Sequence, residues 1–305
     1  MPSKSPACGA SPPDLQPRQV CFVVDNVSTA VAFCRQRFGW GPFHQFKAPV
    51  AAAAYRDWTG EKLTEVALGM AGAVQVELLR VHYGRDTTAD YQAEYGAGLQ
   101  HLGIHCRSRD TALAHLVSLG AKVNEVNEYP GVRFAFVDVP TGPGMFEILQ
   151  PTEEMASNAG ISSSGKPRVD SNTLFDIDRA TIVTADMDKA LAFYAAAFGW
   201  SNPAAARATL RHAGKLSSAR RHIGKAGKLR LEIIEPHGNG DDPYSGHLRR
   251  GSHGLIHAGG EAGGVLPAGE AFRGEWLETG ESFALYDWPG GERSLQIRRE
   301  HSMAG

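Results

Sequence analysis

Hydrophobic positions along this chain switch repeatedly between two periods. Gln19 to Val24 is a short apolar run that stops at Asp25-Asn26, and Ala30, Val31, Phe33, Cys34 and Phe38 then recur at helical spacing up to Gly39. The pattern predicts a strand, a helix and a stop. Thr64 to Leu68 and Ala73 to Val81 follow as strand-like runs divided by glycine-containing turns, which makes the unit βαβββ. A similar unit begins at His101: an apolar-rich run to Cys106, then Leu113, Leu116 and Val117 on one helical face closed by Gly120. Strands Val132 to Val137 and Met145 to Leu149 complete it around the turn Pro140-Thr141-Gly142-Pro143-Gly144.

The whole arrangement then recurs. Asp25 to Trp40 returns as Ala185 to Trp200, with aromatic, Ala and Gly-Trp positions in step, so two related domains are expected. Their boundaries read as a loose tail over 1–17, a first domain over 18–151, a Ser-, Gly- and Ala-rich linker over 152–174, a second domain over 175–300 and a short tail over 301–305. In the second copy the last unit is eroded. The glycines of Gly259 to Gly264, with Pro267, argue against a normal helix there.

Composition narrows the function class. A formal charge of -2 over 305 residues and 42% apolar residues describe a globular chain, not an electrostatic nucleic-acid binder. No apolar run is long enough for a membrane helix and no signal peptide is apparent, so the expected location is the cytoplasm, with no membrane partner. Cys8, Cys21, Cys34 and Cys106 match neither a disulfide framework nor a zinc knuckle, and Cys21 and Cys34 read as small hydrophobes.

Four polar residues interrupt otherwise apolar or mixed strands of the first domain: Gln19, Glu77, His101 and Glu147. Each sits where a side chain can converge on one concave face. In their order and spacing, and in the duplicated βαβββ pattern, these residues resemble the vicinal oxygen chelate superfamily, the group containing glyoxalase I, methylmalonyl-CoA epimerase, extradiol dioxygenases and fosfomycin-resistance proteins. The resemblance implies an α+β fold: tandem domains of paired βαβββ modules forming open barrels. It also implies a divalent metal ion (Zn, Ni, Co, Mn or Mg) held by Gln19, Glu77, His101 and Glu147. A carbonyl oxygen, two carboxylates and an imidazole form an oxygen-rich set that leaves coordination positions for substrate. The chemistry expected is removal of a proton next to a carbonyl, as in an isomerase, epimerase or lyase, with Glu147 as first choice of base and Glu77 close behind.

The second copy serves as an internal control. Its corresponding residues read as Arg179, Glu232, His253 and Gln296, and since Arg cannot ligate a cation this site is expected to be metal-free. His105, Tyr55, Tyr91 and Tyr95 are candidates for substrate contact or for supporting the metal ligands, and Lys47 to Trp58 reads as a variable pocket loop. The basic stretch Arg207 to Arg230 is either a solvated face or an attractor for an anionic substrate arm. The expected partner is a small molecule with a carbonyl or vicinal oxygens, and a homodimer is compatible with the family. Two other functions stay open: an extradiol-type dioxygenase, against which Gln19 stands where a first His is usual, and a non-catalytic binding or resistance protein.

Overall fold

A computed structural model of the chain describes residues 13–129, 131–140, 142–151, 175–238, 241–249, 254–262, 272–289 and 295–299. The expected tandem of paired βαβββ units is present. In the first domain β1 (Gln16–Val23), β2 (His44–Tyr55), β3 (Trp58–Ala71), β4 (Val74–Tyr83), β5 (Gly98–His105), β6 (Lys122–Tyr129), β7 (Val132–Val139) and β8 (Gly142–Pro151) form one sheet, in the order β2-β3-β4-β1-β5-β8-β7-β6. Helices α1 (Val27–Phe38), α2 (Thr87–Tyr95) and α3 (Arg109–Ser118) connect its strands.

The second domain repeats the order with β9 (Arg179–Val183), β10 (Ala206–His212), β11 (Lys215–Ala226), β12 (Leu229–His237), β13 (Gly254–Glu261), β14 (Phe272–Trp276), β15 (Glu281–Tyr286) and β16 (Leu295–Arg299), and with helices α4 (Met187–Phe198) and α5 (Pro243–Arg249). Here β10 pairs with β14 through Leu210 and Trp276, which closes the sheet into a barrel. The first sheet curls without that backbone closure among the described residues. Instead Lys62 on β3 meets Asp86 at 2.8 Å and Glu125 on the β6 edge at 3.9 Å, all three side chains being buried.

The duplicated segment owes its shape to its ends. Asn26 accepts the backbone N–H of Thr29 at 2.8 Å and Asp186 that of Lys189 at 2.9 Å, each satisfying one of the orphan donors of a helix start. Gly39 and Gly199, both at φ 71°, end the helices in the left-handed conformation that glycine adopts without a Cβ penalty.

Strand alternation then sorts the faces. Val20, Phe22, Phe146 and Ile148 turn into a core that also holds Phe193, Tyr194 and Ile182 of the second domain. Phe22 stacks on Trp288 with ring centroids 4.1 Å apart, and Trp40 donates its indole N–H to the Phe175 carbonyl. The intervening positions Gln19, Cys21 and Glu147 are left for the opposite, concave face. Because the two domains share one core, the back of the first sheet is held by the second domain.

Three sequence expectations change. Lys47 to Trp58 is no loop: it is most of β2 and the turn into β3, a long hairpin rich in exposed alanines, whose weak alternation hid it. Helix α2, carrying Tyr91 and Tyr95, was not anticipated. The end of the presumed N-terminal tail is structured, since Leu15 is buried and the Pro17 carbonyl accepts the Lys228 N–H. In the eroded unit, Gly259 and Gly260 lie within strand β13, while the segment 263–271 falls outside the described residues.

Candidate metal centre

The concave face of the first sheet gathers its polar residues at the seam between the two βαβββ units. β1 and β4 run parallel there and place Cys21 opposite Glu77, while β1 and β5 run antiparallel and place Cys21 opposite His101. On the other side β5 and β8 pair Gly103 with Glu147. His101, fully buried, therefore stands between two acids: its Nε2 lies 3.4 Å from Glu77 Oε2 and 3.3 Å from Glu147 Oε2. Its Nδ1 contacts Gln100 Oε1 at 3.1 Å, and that oxygen also accepts from the Thr88 hydroxyl. In a neutral imidazole the nitrogen facing the amide oxygen would keep the proton, leaving the other nitrogen's lone pair for a cation between the acids.

Gln19 belongs to the same face. Its amide Nε2 donates to Gln75 Oε1 at 2.8 Å, and its Oε1 rests over Gly103, where a Cβ would lie 2.1 Å away. Glycine is required at that crossing to let the amide in. Gln19, Glu77, His101 and Glu147 are thus brought together.

The electrostatics carry the mark of burial. Burial works to lower the His101 pKa, but Glu147 and Glu77 outweigh it and lift the imidazole to about 9. Burial raises the Glu147 carboxyl above its ordinary value, with His101 opposing. Three buried polar atoms that face this cluster, Gln19 Oε1, Glu77 Oε2 and His101 Nε2, have no hydrogen-bond partner. Leaving such atoms unsatisfied is costly, and a cation among two carboxylates, an amide oxygen and an imidazole would satisfy all three. The donor set fits a divalent metal.

The other sequence candidates are engaged elsewhere or exposed. His105 lies four residues along β5, about 13 Å at strand rise, opposite Gln16. Burial, with Arg18 nearby, lowers its pKa to about 4, so it is a neutral imidazole. Tyr55 donates to Asp90 at 3.0 Å and Tyr91 to the Leu99 carbonyl at 2.9 Å, so both hydroxyls have structural duties; Tyr95 is 43% exposed.

In the second barrel the register corrects one assignment. β9 pairs Thr181 with His257 and Arg179 with Gly259, just as Cys21 pairs with His101 and Gln19 with Gly103. His257, not His253, is the counterpart of His101. The glycine-rich surroundings blurred the repeat, and His253 lies outside the described residues. Gln296, paired with Gly259, matches Glu147. Arg179 and Glu232 occupy the positions of Gln19 and Glu77, and both are engaged. Arg221 Nε donates to Glu232 Oε1 at 2.6 Å and its Nη2 to Glu281 Oε1 at 2.6 Å, while Arg179 Nη1 donates to Glu281 Oε1 at 3.0 Å. Arg221 also lies over Trp276, 4.9 Å from the ring centroid. Burial alone would raise Glu232, but Arg221 and Arg179 overcome it and hold the carboxyl at about 2.

Sequence reasoning missed three residues here. Cys21 was read as a hydrophobe, although its two-residue spacing from Gln19 places both on one face; Arg221 and Glu281 carried no signal beyond their charge. The basic stretch is largely spoken for: Arg211, Lys215, Arg220, Arg221 and Arg230 each form an ion pair within the domain.

Residues 18–136 match the family model described as the Glyoxalase/Bleomycin resistance protein/Dioxygenase superfamily. Among solved structures, a variant of 4-hydroxymandelate synthase from Streptomyces coelicolor superposes with a TM-score of 0.57 at 13% identity, covering 96% of this chain and 94% of that one. A xylose isomerase-like TIM barrel/4-hydroxyphenylpyruvate dioxygenase fusion protein gives 0.51 at 12% identity, over 99% of this chain and 52% of the fusion. Methylmalonyl-CoA epimerase from Mycobacterium tuberculosis aligns with half of this chain (50%) and 97% of its own, at 18% identity and a TM-score of 0.35. Comparison with curated protein sequences gives no match. Among the described residues no helix is long and apolar enough to cross a membrane.

Proposed function

We propose that this chain, whose residues 18–136 match the Glyoxalase/Bleomycin resistance protein/Dioxygenase superfamily model, is a divalent-metal enzyme that removes a proton next to a carbonyl of a small organic substrate. The observation that carries this reading is the buried His101 between Glu77 and Glu147, with Gln19 Oε1, Glu77 Oε2 and His101 Nε2 all lacking partners. Gln19, Glu77, His101 and Glu147 would hold the ion. When bound, such an ion supplies Lewis acidity: it polarises a carbonyl and stabilises the negative charge left by the departing proton.

The protein's own residues do the rest. Glu147 takes the proton on a carboxylate oxygen; burial makes that carboxylate more basic than an exposed one, which suits a proton acceptor. Glu77, on the other side of His101, is the alternative base. Gln100 holds the imidazole in place, and Phe136, edge-on to the His101 ring at 5.2 Å between centroids, keeps water from that flank. Val66 and Leu79 on one wing and Val132, Phe134 and Leu149 on the other give the cleft apolar walls. A dioxygenase of the two-His, one-carboxylate kind is disfavoured because His101 is the one imidazole of the quartet.

The test is elemental analysis followed by solvent-deuterium exchange into carbonyl substrates. The reading expects about one divalent ion per chain and exchange that Glu147→Gln abolishes without loss of the fold. Exchange at the wild-type rate in that variant would remove Glu147 from the role; absence of metal after reconstitution would favour a ligand-capture protein instead.

A further inference from the structure

The register at the seam of the first sheet singles out a residue that the family ligand set does not contain. Cys21 is the cross-strand partner of both Glu77 on β4 and His101 on β5, so it occupies the centre of the cluster, whereas Gln19 lies one step along, opposite Gln75 and Gly103. Directly opposed residues on paired strands bring their Cβ atoms to about 5 Å. Accordingly Cys21 Sγ, a Glu77 carboxylate oxygen and a His101 ring nitrogen all lie within 4.8 Å of one another. Cys21 is fully buried, as is His101, whose Nε2 has no hydrogen-bond partner.

The second barrel provides an independent control on reach. Thr181 holds the position of Cys21, and its Oγ1, as far along the side chain as a cysteine sulfur, donates to Glu232 Oε2 at 2.7 Å. A γ atom at this register therefore meets the carboxylate of the neighbouring strand.

We infer that Cys21 is a metal ligand, so that the centre is a thiolate, imidazole and carboxylate site in which Cys21, His101, Glu77 and Glu147 surround the ion. This rests on the metal-enzyme reading above and sharpens it. Gln19, one register step along from Cys21, offers its amide oxygen from the edge of the group. On binding, the thiol releases its proton to solvent and contributes a soft donor. A sulfur and an imidazole together select zinc or cobalt over magnesium and manganese, which prefer oxygen. The metals expected from the family resemblance are thereby reduced to the thiophilic ones.

Cobalt(II) titration of the metal-free protein tests this, because a cobalt–thiolate bond gives a near-ultraviolet charge-transfer band that oxygen and nitrogen ligands do not. The wild-type protein should show the band at one equivalent, and Cys21→Ser should lose it while still binding cobalt, at least about tenfold more weakly. A variant lacking the other thiols, Cys8→Ser, Cys34→Ala and Cys106→Ser, should keep the band, which assigns it even where Cys21→Ser does not fold. Cobalt bound by the wild type without the band overturns the role of Cys21 and leaves the metal-enzyme reading standing. A band that persists in Cys21→Ser overturns it as well. A wild type that binds neither cobalt nor zinc overturns both.

Discussion

The two barrels of this chain share a topology and a register, and differ in what fills the middle. In the first, His101 and two acids face one another with unsatisfied atoms between them. In the second, Glu232 at the position of Glu77 is clasped by Arg221, Arg179 and Thr181, and a second acid, Glu281, completes the network. One interior holds buried polar atoms without partners; the other carries cations as side chains among its acids. The barrel walls differ in the same sense. Backbone pairing of β10 with β14 closes the second, whereas the first is bridged by the side chains of Lys62, Asp86 and Glu125. On the proposed reading, the first sheet is the one left open to a ligand, while the second is closed by backbone pairing and by its own charges.

The largest effect that would break this comparison is structural. Glu232→Ala leaves Glu281 alone to balance the buried Arg179 and Arg221, and removing one partner of a buried ion pair costs about 3–5 kcal/mol. Urea unfolding should show a loss of that size; a loss below 1 kcal/mol would mean that the arginine network is not what fills the second barrel, by the same measure. Lys62→Ala should cost somewhat less, about 3 kcal/mol, because Asp86 keeps hydrogen bonds to the Ala89 N–H.

On the metal side, His101→Ala should weaken binding of a divalent ion by about 100-fold or more, since losing a ligand exceeds the 10- to 100-fold cost of losing its support. His257→Ala, at the matching register, should leave the metal content unchanged. Equilibrium dialysis with zinc reads both. Equal losses in the two variants would dissolve the distinction between the domains.

Acid should distinguish them more gently. Glu232 is held at about 2 in the folded protein against an ordinary value of 4.5, so the folded state keeps it charged where the unfolded chain would take up a proton. Its contribution is therefore fully present above about pH 4.5 and is lost as the pH falls toward 2. In Glu232→Gln this part of the pH dependence of unfolding should vanish. An unchanged slope would show that Glu232 titrates normally.

Much of this arrangement could be read from the chain because strand alternation and helix caps are local properties. Asn26 and Gly39 announce α1 and its repeat α4 in letters that any helix must use, and Gln19, Glu77, His101 and Glu147 stand out as polar breaks in apolar runs. What escaped depends on registers between distant strands. That Cys21 faces both Glu77 and His101 is set by two pairings, one parallel and one antiparallel, with a bulge after Cys21. The exchange of His253 for His257 has the same origin: spacing within one strand cannot say which residue meets Thr181. Strand β2 hid for another reason, since its alanines bury too little to leave a period.

The smallest expected effect asks the most of the comparison. If Arg179 alone kept metal out of the second barrel, Arg179→Gln would restore the residue found in the first and a second ion would bind. The geometry argues otherwise. Glu232 Oε1 would still receive Arg221 Nε at 2.6 Å, its Oε2 would still receive Thr181, and Gln296 would still stand in place of the second carboxylate. One acid already neutralised by a buried guanidinium has no charge left for a divalent ion. The zinc content of Arg179→Gln should therefore remain at about one per chain, set by the first domain. Only a combined change, Arg179→Gln, Arg221→Ala and Gln296→Glu, which removes the two arginines that grip Glu232 and returns the missing carboxylate, should raise it toward two. A second equivalent in the single variant would show that one residue, not a network, separates the two halves.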